Sequence, residues 1–476
     1  MKHIHFIAIG GAIMHQLALA LQKKDYIITG SDDEITDPAK TNLLNAGLLP
    51  ENYGWFPEKI DPSLSPAPSD EPAHSDSLSG VRPRPDAVVL GMHARADNPE
   101  LLAAKSAGIP VYSFPQYVYE VSKNKKRVVV AGSHGKTTIT SMIMHILKQQ
   151  GIDFDYLVGA KVAGFDQSVR LTDAPLIILE GDEYPASAEE RKPKIFFYHP
   201  HISVLSGIAW DHINVFPTYE IYFSQFQQYL QGMDKGAKVF YNNEDPEVRR
   251  AIHTSGGELS AVPYSTPPFH YENGYPVMDT SNGPVKLSIF GRHNLLNLQA
   301  AIDVCMELGV SESNCYKAIA SFTGAARRLE KIKESEHLMV YRDFAHAPSK
   351  LKATLDAVRE AYPGHHLVAC FELHTFSSLN EQFLSEYAHS MDAADDAIVY
   401  FSHHALDLKG LPALDPVAVK KYFGRPDIQV IDERKKLEDA VKISMAGKGK
   451  PVFLLLMSSG TFDGIDWNTL SSHSIL

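Results

Sequence analysis

Short apolar runs alternate with glycine-punctuated turns and amphipathic stretches along the chain, the pattern of parallel strands joined by helices. Near the start, residues 3–9 predict a strand, Gly10-Gly11 a turn, 12–23 a helix and 26–29 a second strand closing on Gly30-Ser31-Asp32. A strand at 87–90 follows, with a loop over 91–99 at its end. The next cycle is tighter: the run VVVA at 128–131, a Gly-Ser-His-Gly turn, then a helix opening at Lys136 and reaching about Gln149. Further strands are predicted at 176–179 and 202–206, and a helix from Asn294 to about Leu308. From near Arg327 the alternation is regular, with strands at 338–341, 366–372, 397–401 and 452–457 and helices at 349–361, 381–391 and 435–445.

This order predicts an α/β protein of three domains. They are a Rossmann-like domain over 1–124, a central P-loop ATPase-type mononucleotide-binding domain over 125–324, and a Rossmann-like domain over 325–476. A length of 476 residues is enough for about three separate cores. Residues 61–85 are rich in Pro and Ser and hold no aromatic, which predicts a surface insertion in the first domain. The basic run at 123–127 reads as a solvated linker.

Composition narrows the partners. A net charge of −12 argues against nucleic acid or an anionic membrane, and means that an anionic substrate must be met by local cations. Three cysteines without a CxxC pair fit a reducing cytoplasm. No apolar run reaches the roughly 18 residues of a spanning helix, and the apolar start is broken by Gly10-Gly11 rather than by a cleavage site. The expectation is a cytoplasmic protein, monomeric or weakly dimeric. His365-His366 and His403-His404 are assigned to the surface.

The chemistry concentrates in GSHGKTT, Gly132-Ser133-His134-Gly135-Lys136-Thr137-Thr138. A strand, a glycine turn and a helix N-terminus gather backbone N–H groups where the helix dipole favours negative charge. Lys136 supplies a charge for the outer phosphates of a nucleotide, and the Thr137 hydroxyl suits magnesium. The full P-loop spacing would place its first glycine at Val130, so the strand and helix carry the reading. The strand at 176–179 ends in Glu180-Gly181-Asp182-Glu183, and the strand at 202–206 leads to Trp210-Asp211-His212. If these strands lie parallel to 128–131, Thr137, Glu180 and His212 converge on one cation site. Asn294 is either a helix N-cap or, with His293, part of an adenine or ribose pocket. Arg328, beside Arg327, is a candidate for a γ-phosphate contact. The first domain lacks GxGxxG, having Ala8 and Ile13 at glycine positions, which speaks against an NAD oxidoreductase.

GSHGKTT, EGDE (180–183), WDH (210–212), GRHNLLN (291–297), RRLE (327–330) and DFAHAP (343–348) together resemble the Mur ligase family, in the same order over essentially the whole chain. The resemblance implies an ATP-dependent amide ligase acting through an acyl phosphate, with ATP and Mg2+ in the central domain. It implies catalytic Lys136, Glu180 and His212, an ATP site extending to His293, Asn294, Arg328 and Asp343, and a metal on Thr137, Glu180 and His212. A UDP-sugar would lie along Gly10, Gly11, Ser31, Asp32, His93 and Asn98. The amine substrate would meet His346, Glu372, His374 and Thr461.

Within the family the chain is similar to the branch using UDP-N-acetylmuramate, whose amine is either L-alanine or the tripeptide L-alanyl-γ-D-glutamyl-meso-diaminopimelate. The 181–193 loop, the FELH segment with Thr375 and Ser378 where arginines are usual, and the 457–465 glycine loop resemble the tripeptide users. The chain departs from the family pattern at Gly207, Ala209, Asn214, Arg342 and Ala347. Gly207, Ala209 and Arg342 motivate one alternative, a non-catalytic nucleotide or UDP-sugar sensor.

Overall fold

The computed structural model describes residues 1–64, 84–92, 94–187, 189–256, 259–272, 274–324 and 328–467. Most of the Pro/Ser-rich stretch, His93 and Arg327 lie outside these residues.

The first sheet has four parallel strands in the order Ile27–Ser31, His3–Ile7, Ala87–Leu90, Val111–Ser113. Its central strand His3–Ile7 is buried at every position, as a parallel strand covered on both faces must be. The helix Met14–Gln22 begins two residues later than the pattern predicts.

The central sheet has seven strands, ordered Ser260–Tyr264, Lys238–Asn242, Ile202–Leu205, Lys126–Ala131, Leu176–Glu180, Asp155–Leu157, Val169–Arg170. All neighbours are parallel except the last pair. Lys126–Ala131 lies between Ile202–Leu205 and Leu176–Glu180, so the three motif-bearing strands end side by side at one carboxyl edge. Ligands bind at that edge in open α/β sheets.

A small antiparallel meander, Phe269–Glu272, Tyr275–Thr280 and Gly283–Lys286, follows. Its two outer strands alternate half-buried and exposed positions, and only the middle one has a short buried run, Pro276 to Met278, so the hydrophobic pattern signals it weakly.

The last sheet has six strands: Glu330–Glu334, Leu338–Asp343, Val452–Met457, His366–Leu373, Asp396–Phe401, Gln429–Ile431. Its first pair is antiparallel and the rest parallel. Glu330–Glu334 reads EKIKE, an edge strand too charged to be seen as one in the sequence. The expected helix at 381–391 is a seven-residue 3₁₀ segment, Glu381–Tyr387. His366 is not a surface residue: it is half-buried, with Nε2 2.6 Å from an Asp396 carboxylate oxygen.

Packing joins the sheets where function needs it. Ile4, Phe6 and Leu17 share one apolar cluster with Val129, Ile177 and Leu179 of the central sheet. On the other side Phe290 meets Tyr341 and Tyr362 edge-on, with ring centroids 5.7 and 5.6 Å apart, and Trp210 meets Phe383 at 5.5 Å. Aromatic pairs of this geometry each add about 0.5–1.5 kcal/mol beyond their burial. They clamp the C-terminal sheet onto the two segments that carry His212 and His293. Among the described residues no helix is long and apolar enough to cross a membrane.

Candidate active site

After the strand Lys126–Ala131 the chain turns through Gly132 (φ 127°) and Gly135 (φ 77°), backbone that a side chain disfavours. Space is lacking as well. A Cβ on Gly132 would strike Ser206, and one on Gly135 would strike the Asn297 amide. The turn sets Lys136 and Thr137 in the first turn of the helix Lys136–Gln149, whose free N–H groups and dipole favour an anion.

Lys136 Nζ donates to the Gly132 carbonyl at 2.7 Å and to Glu183 Oε2 at 2.5 Å. Thr137 Oγ1 donates to Glu180 Oε1 at 2.7 Å, and the other Glu180 oxygen accepts from the Gly159 N–H at 2.8 Å. Glu183 Oε1 accepts from the Tyr222 hydroxyl at 3.3 Å and faces His212 Nε2 at 3.7 Å. His212 itself is held in left-handed backbone, φ 58°, while Val215 and Phe216 donate their N–H groups to its carbonyl. Non-glycine residues kept there are strained, a state that persists where the surroundings over-determine it.

Charge is balanced pairwise inside this site. Burial raises the pKa of Glu183, but Lys136 and His212 outweigh it and hold the carboxyl well below its usual range. Burial likewise opposes the charge on Lys136 and on His212; in both cases Glu183 helps to reverse it, and both pKa values rise. Asp211 is lowered against its own burial, chiefly by His212 and then Lys350. Burial pulls His346 down to about 3, with Lys350 adding to the effect, and His293 down to about 4. Those two imidazoles are neutral.

A cavity of about 790 Å3 runs between the central and C-terminal sheets. Ser133 through Thr138, Glu180 and His212 line it from the central side, with His293, Asn294, Arg328, Asp343 and His346 around the rest. Lys136, Glu180 and His212 therefore meet at one place. Asn294 is not the N-cap of its helix, since Gly291 holds that position; its amide nitrogen instead donates to the Phe290 carbonyl at 2.9 Å. The Asp343 carboxylate accepts from the Leu329 and Ala345 N–H groups at 2.7 and 2.8 Å, pinning the start of the C-terminal sheet to the DFAHAP loop.

Three side chains that motif reading leaves out line the same cavity: Glu183, Asn297 and Lys350. Glu183 and Asn297 stand inside the EGDE and GRHNLLN motifs, where their one-turn or one-loop spacing from Glu180 and Asn294 was an available signal. Lys350 has no such signal, since only folding brings it beside Asp211.

The expected amine-substrate residues divide. His346 lines the cavity, whereas Glu372, His374 and Thr461 gather beyond it at the carboxyl edge of the last sheet. Glu372 is buried and accepts from the Ser458 hydroxyl and, at 2.9 Å, the Phe462 N–H. His374 Nδ1 lies 3.6 Å from Glu372 Oε1 without a hydrogen bond, and the Ser459 hydroxyl is buried and unpartnered among the described residues. Thr375 and Ser378 hydrogen-bond each other at 2.9 Å, so this edge carries no cation at those two positions.

In the first sheet the Gly10 N–H donates to Asp32 Oδ2 at 2.7 Å, and Lys59 Nζ donates to Ser31 Oγ at 3.1 Å. Gly10, Gly11, Ser31 and Asp32 thus sit together at its carboxyl edge. Asn98 caps the helix Pro99–Ser106, accepting from the N–H groups of Glu100 and Leu101. His93 lies outside the described residues.

Comparison with known proteins agrees with this geometry. Residues 130–305 match the model of the Mur ligase middle domain, and residues 327–460 that of the Mur ligase glutamate ligase domain. A UDP-N-acetylmuramate–L-alanine ligase from an Arthrobacter species is 30% identical over 83% of this chain and 80% of its own length. This chain belongs to the Mur ligase family. Members of the family are ATP-dependent ligases that form C–N bonds. This Mur ligase is also 25% identical, over 98% of each chain, to the UDP-N-acetylmuramate–L-alanyl-γ-D-glutamyl-meso-2,6-diaminoheptandioate ligase of Haemophilus influenzae. Its fold superimposes on a UDP-N-acetylmuramate–alanine ligase from Thermotoga maritima with a TM-score of 0.65 at 20% identity, covering 98% of this chain and 97% of the other.

Two of the Mur ligase's departures have a structural explanation. Arg342 points outward on its strand and pairs with Glu330 Oε2 at 2.9 Å, away from the cavity. Gly207 leaves the space that the His134 imidazole fills, because any Cβ there would overlap that ring. Nothing in the structure explains Asn214, whose amide donates to the Tyr184 hydroxyl at 2.9 Å.

Proposed function

We propose that this Mur ligase joins the lactyl carboxylate of UDP-N-acetylmuramate to the free α-amine of L-alanyl-γ-D-glutamyl-meso-diaminopimelate, consuming ATP. The single observation that carries the ligase chemistry is the meeting of Lys136, Glu180 and His212 on one cavity closed by the C-terminal sheet. The parts 1–124, 125–324 and 325–476 would hold the UDP-sugar, the nucleotide and the peptide in turn. ATP and a UDP-sugar as substrates put the enzyme's work in the cytoplasm.

A carboxylate does not condense with an amine because its oxygen is a poor leaving group. Transfer of the γ-phosphoryl group to an oxygen of the lactyl carboxylate gives an acyl phosphate and ADP, after which the amine attacks the carbonyl carbon and phosphate leaves. Such transfers depend on positioning and charge neutralisation. Lys136 would hold the outer phosphates from the helix N-terminus. Thr137 and Glu180 fit a magnesium ion, being adjacent hard oxygen donors beside an anion site, the protein share of an ion otherwise held by phosphates and water. When bound, that ion would neutralise charge on the phosphoryl oxygens. His212, lining the same cavity beside Glu183, would hold the ion or donate to a phosphoryl oxygen. Neutral His346 and Arg328 would orient the reacting groups across the gap.

The tripeptide is favoured by the uncharged Thr375–Ser378 pair, whereas near-complete coverage is shared with ligases of both kinds. L-Alanine as the amine is supported by the higher identity to the Arthrobacter ligase. Phosphate release with ATP, Mg2+, UDP-N-acetylmuramate and either amine separates the two. Turnover with the tripeptide is expected, and turnover with alanine alone reverses the assignment. Nucleotide binding without turnover on either amine would indicate the sensor.

A further inference from the structure

Lys350 stands at the third position of the helix Pro348–Ala361, on the C-terminal side of the cavity. Its side chain is 20% exposed, and that exposure opens into the cavity. Lysines in such places are normally spent on a partner: Lys136 makes two hydrogen bonds of 2.7 Å or less. Lys350 Nζ makes none among the described residues, and its one ion-pair contact is Asp211 Oδ2 at 3.7 Å, beyond hydrogen-bond reach. That carboxylate is itself divided. Its Oδ1 accepts from the His212 N–H at 2.7 Å, and its Oδ2 also faces His346 Nε2 at 3.8 Å.

The position along the cavity is informative. The charged groups acting on Lys350 are Asp211, Lys136 and Glu183, which stand with His212 on the central side of the cavity, and Arg328 on its own side. Leaving three ammonium donors unmade in a half-enclosed site costs free energy unless a ligand takes them. Lys136 and Lys350 line one cavity from its two sides, so an anion bound between them would be attracted by both ammonium groups.

We propose that Lys350 is a phosphate-contacting residue, which reaches across the gap between the sheets and donates to an oxygen of the γ-phosphoryl group, with Asp211 setting its direction. It therefore contacts the terminal phosphoryl group that is transferred, and not the part of the nucleotide shared with ADP. The inference rests on the ATP-dependent ligase reading of this cavity.

The test measures the affinity of the full chain for ADP and for a non-hydrolysable ATP analogue, both with Mg2+, by calorimetry. Wild type is compared with Lys350→Met and Lys350→Arg. In Lys350→Met the analogue is expected to bind about tenfold more weakly, the loss of one charge-assisted contact, while ADP affinity stays within about twofold. Lys350→Arg should recover most of the analogue's affinity, which a purely structural role would not require. Equal weakening of both nucleotides in Lys350→Met, or an unchanged analogue affinity, overturns the assignment while leaving the ligase reading intact. A wild type that binds neither nucleotide overturns both. Unfolding midpoints of the variants, expected to match wild type, show that the fold is kept.

Discussion

Glu183 joins two basic groups with one carboxylate: Oε2 is 2.5 Å from Lys136 Nζ and Oε1 is 3.7 Å from His212 Nε2. The acid is buried, so its charge is tolerated only because those cations answer it. On the proposed function, Glu183 occupies the ammonium that the phosphates of ATP would need. Glu183→Ala strands a buried cation and is expected to lower stability by about 3 kcal/mol, read by urea unfolding. Saturating Mg-ATP should restore part of that loss, since phosphate then supplies the missing charge. Unchanged stability without nucleotide would contradict this account.

Thr137 and Glu180 share a 2.7 Å hydrogen bond in a place suited to both facing one ion. Thr137→Val removes a single oxygen and keeps the shape. The Mg2+ concentration for half-maximal rate, measured at saturating ATP, is expected to rise about tenfold. A shift in the ATP requirement without a shift in the Mg2+ requirement would place the ion elsewhere.

His134 and Gly207 fit each other, one ring against one missing side chain. Gly207→Ala alone should expel the imidazole and distort the loop, raising KM for ATP about tenfold. Removing the ring at the same time, in His134→Ala/Gly207→Ala, is expected to regain part of that loss. Simple addition of the two single effects would show that the pair is not coupled.

His346 titrates near pH 3 in the folded state against an ordinary value of 6.5. Below pH 6.5 the unfolded chain therefore takes up a proton that the folded chain refuses, so this group's contribution to stability falls with pH across that window. At pH 5 the penalty is about 2 kcal/mol. His212, with a raised pKa, acts in the opposite sense: its contribution is complete below 6.5 and is lost as pH rises through its folded value. Comparing wild type with His346→Gln isolates the first effect. The variant should lose less stability between pH 7 and pH 5, by urea unfolding at each pH.

Much of the site was legible along the chain because its pieces are local. GSHGKTT needs only a strand, two glycines free to take positive φ, and a helix start, all within eleven residues. The strand at Leu176–Glu180 announces itself by an unbroken apolar run ending in acids. Misreadings came where local pattern was weak: the meander at 269–286, the charged edge strand Glu330–Glu334, and the 3₁₀ segment taken for a helix.

The sequence alone determined the main strands and helices, the phosphate-binding turn and the order of motifs, because backbone sterics and side-chain periodicity act over a few residues. Only the tertiary structure decided that Glu183 would spend itself on Lys136 and His212, that Gly207 would make room for His134, and that Lys350 would arrive beside Asp211 from the far side of the cavity. Those relationships join positions 29, 47, 73 or 139 residues apart, as the numbering in the chain gives directly. Charge pairing and close packing depend on distance in space, and no period along the chain encodes that distance.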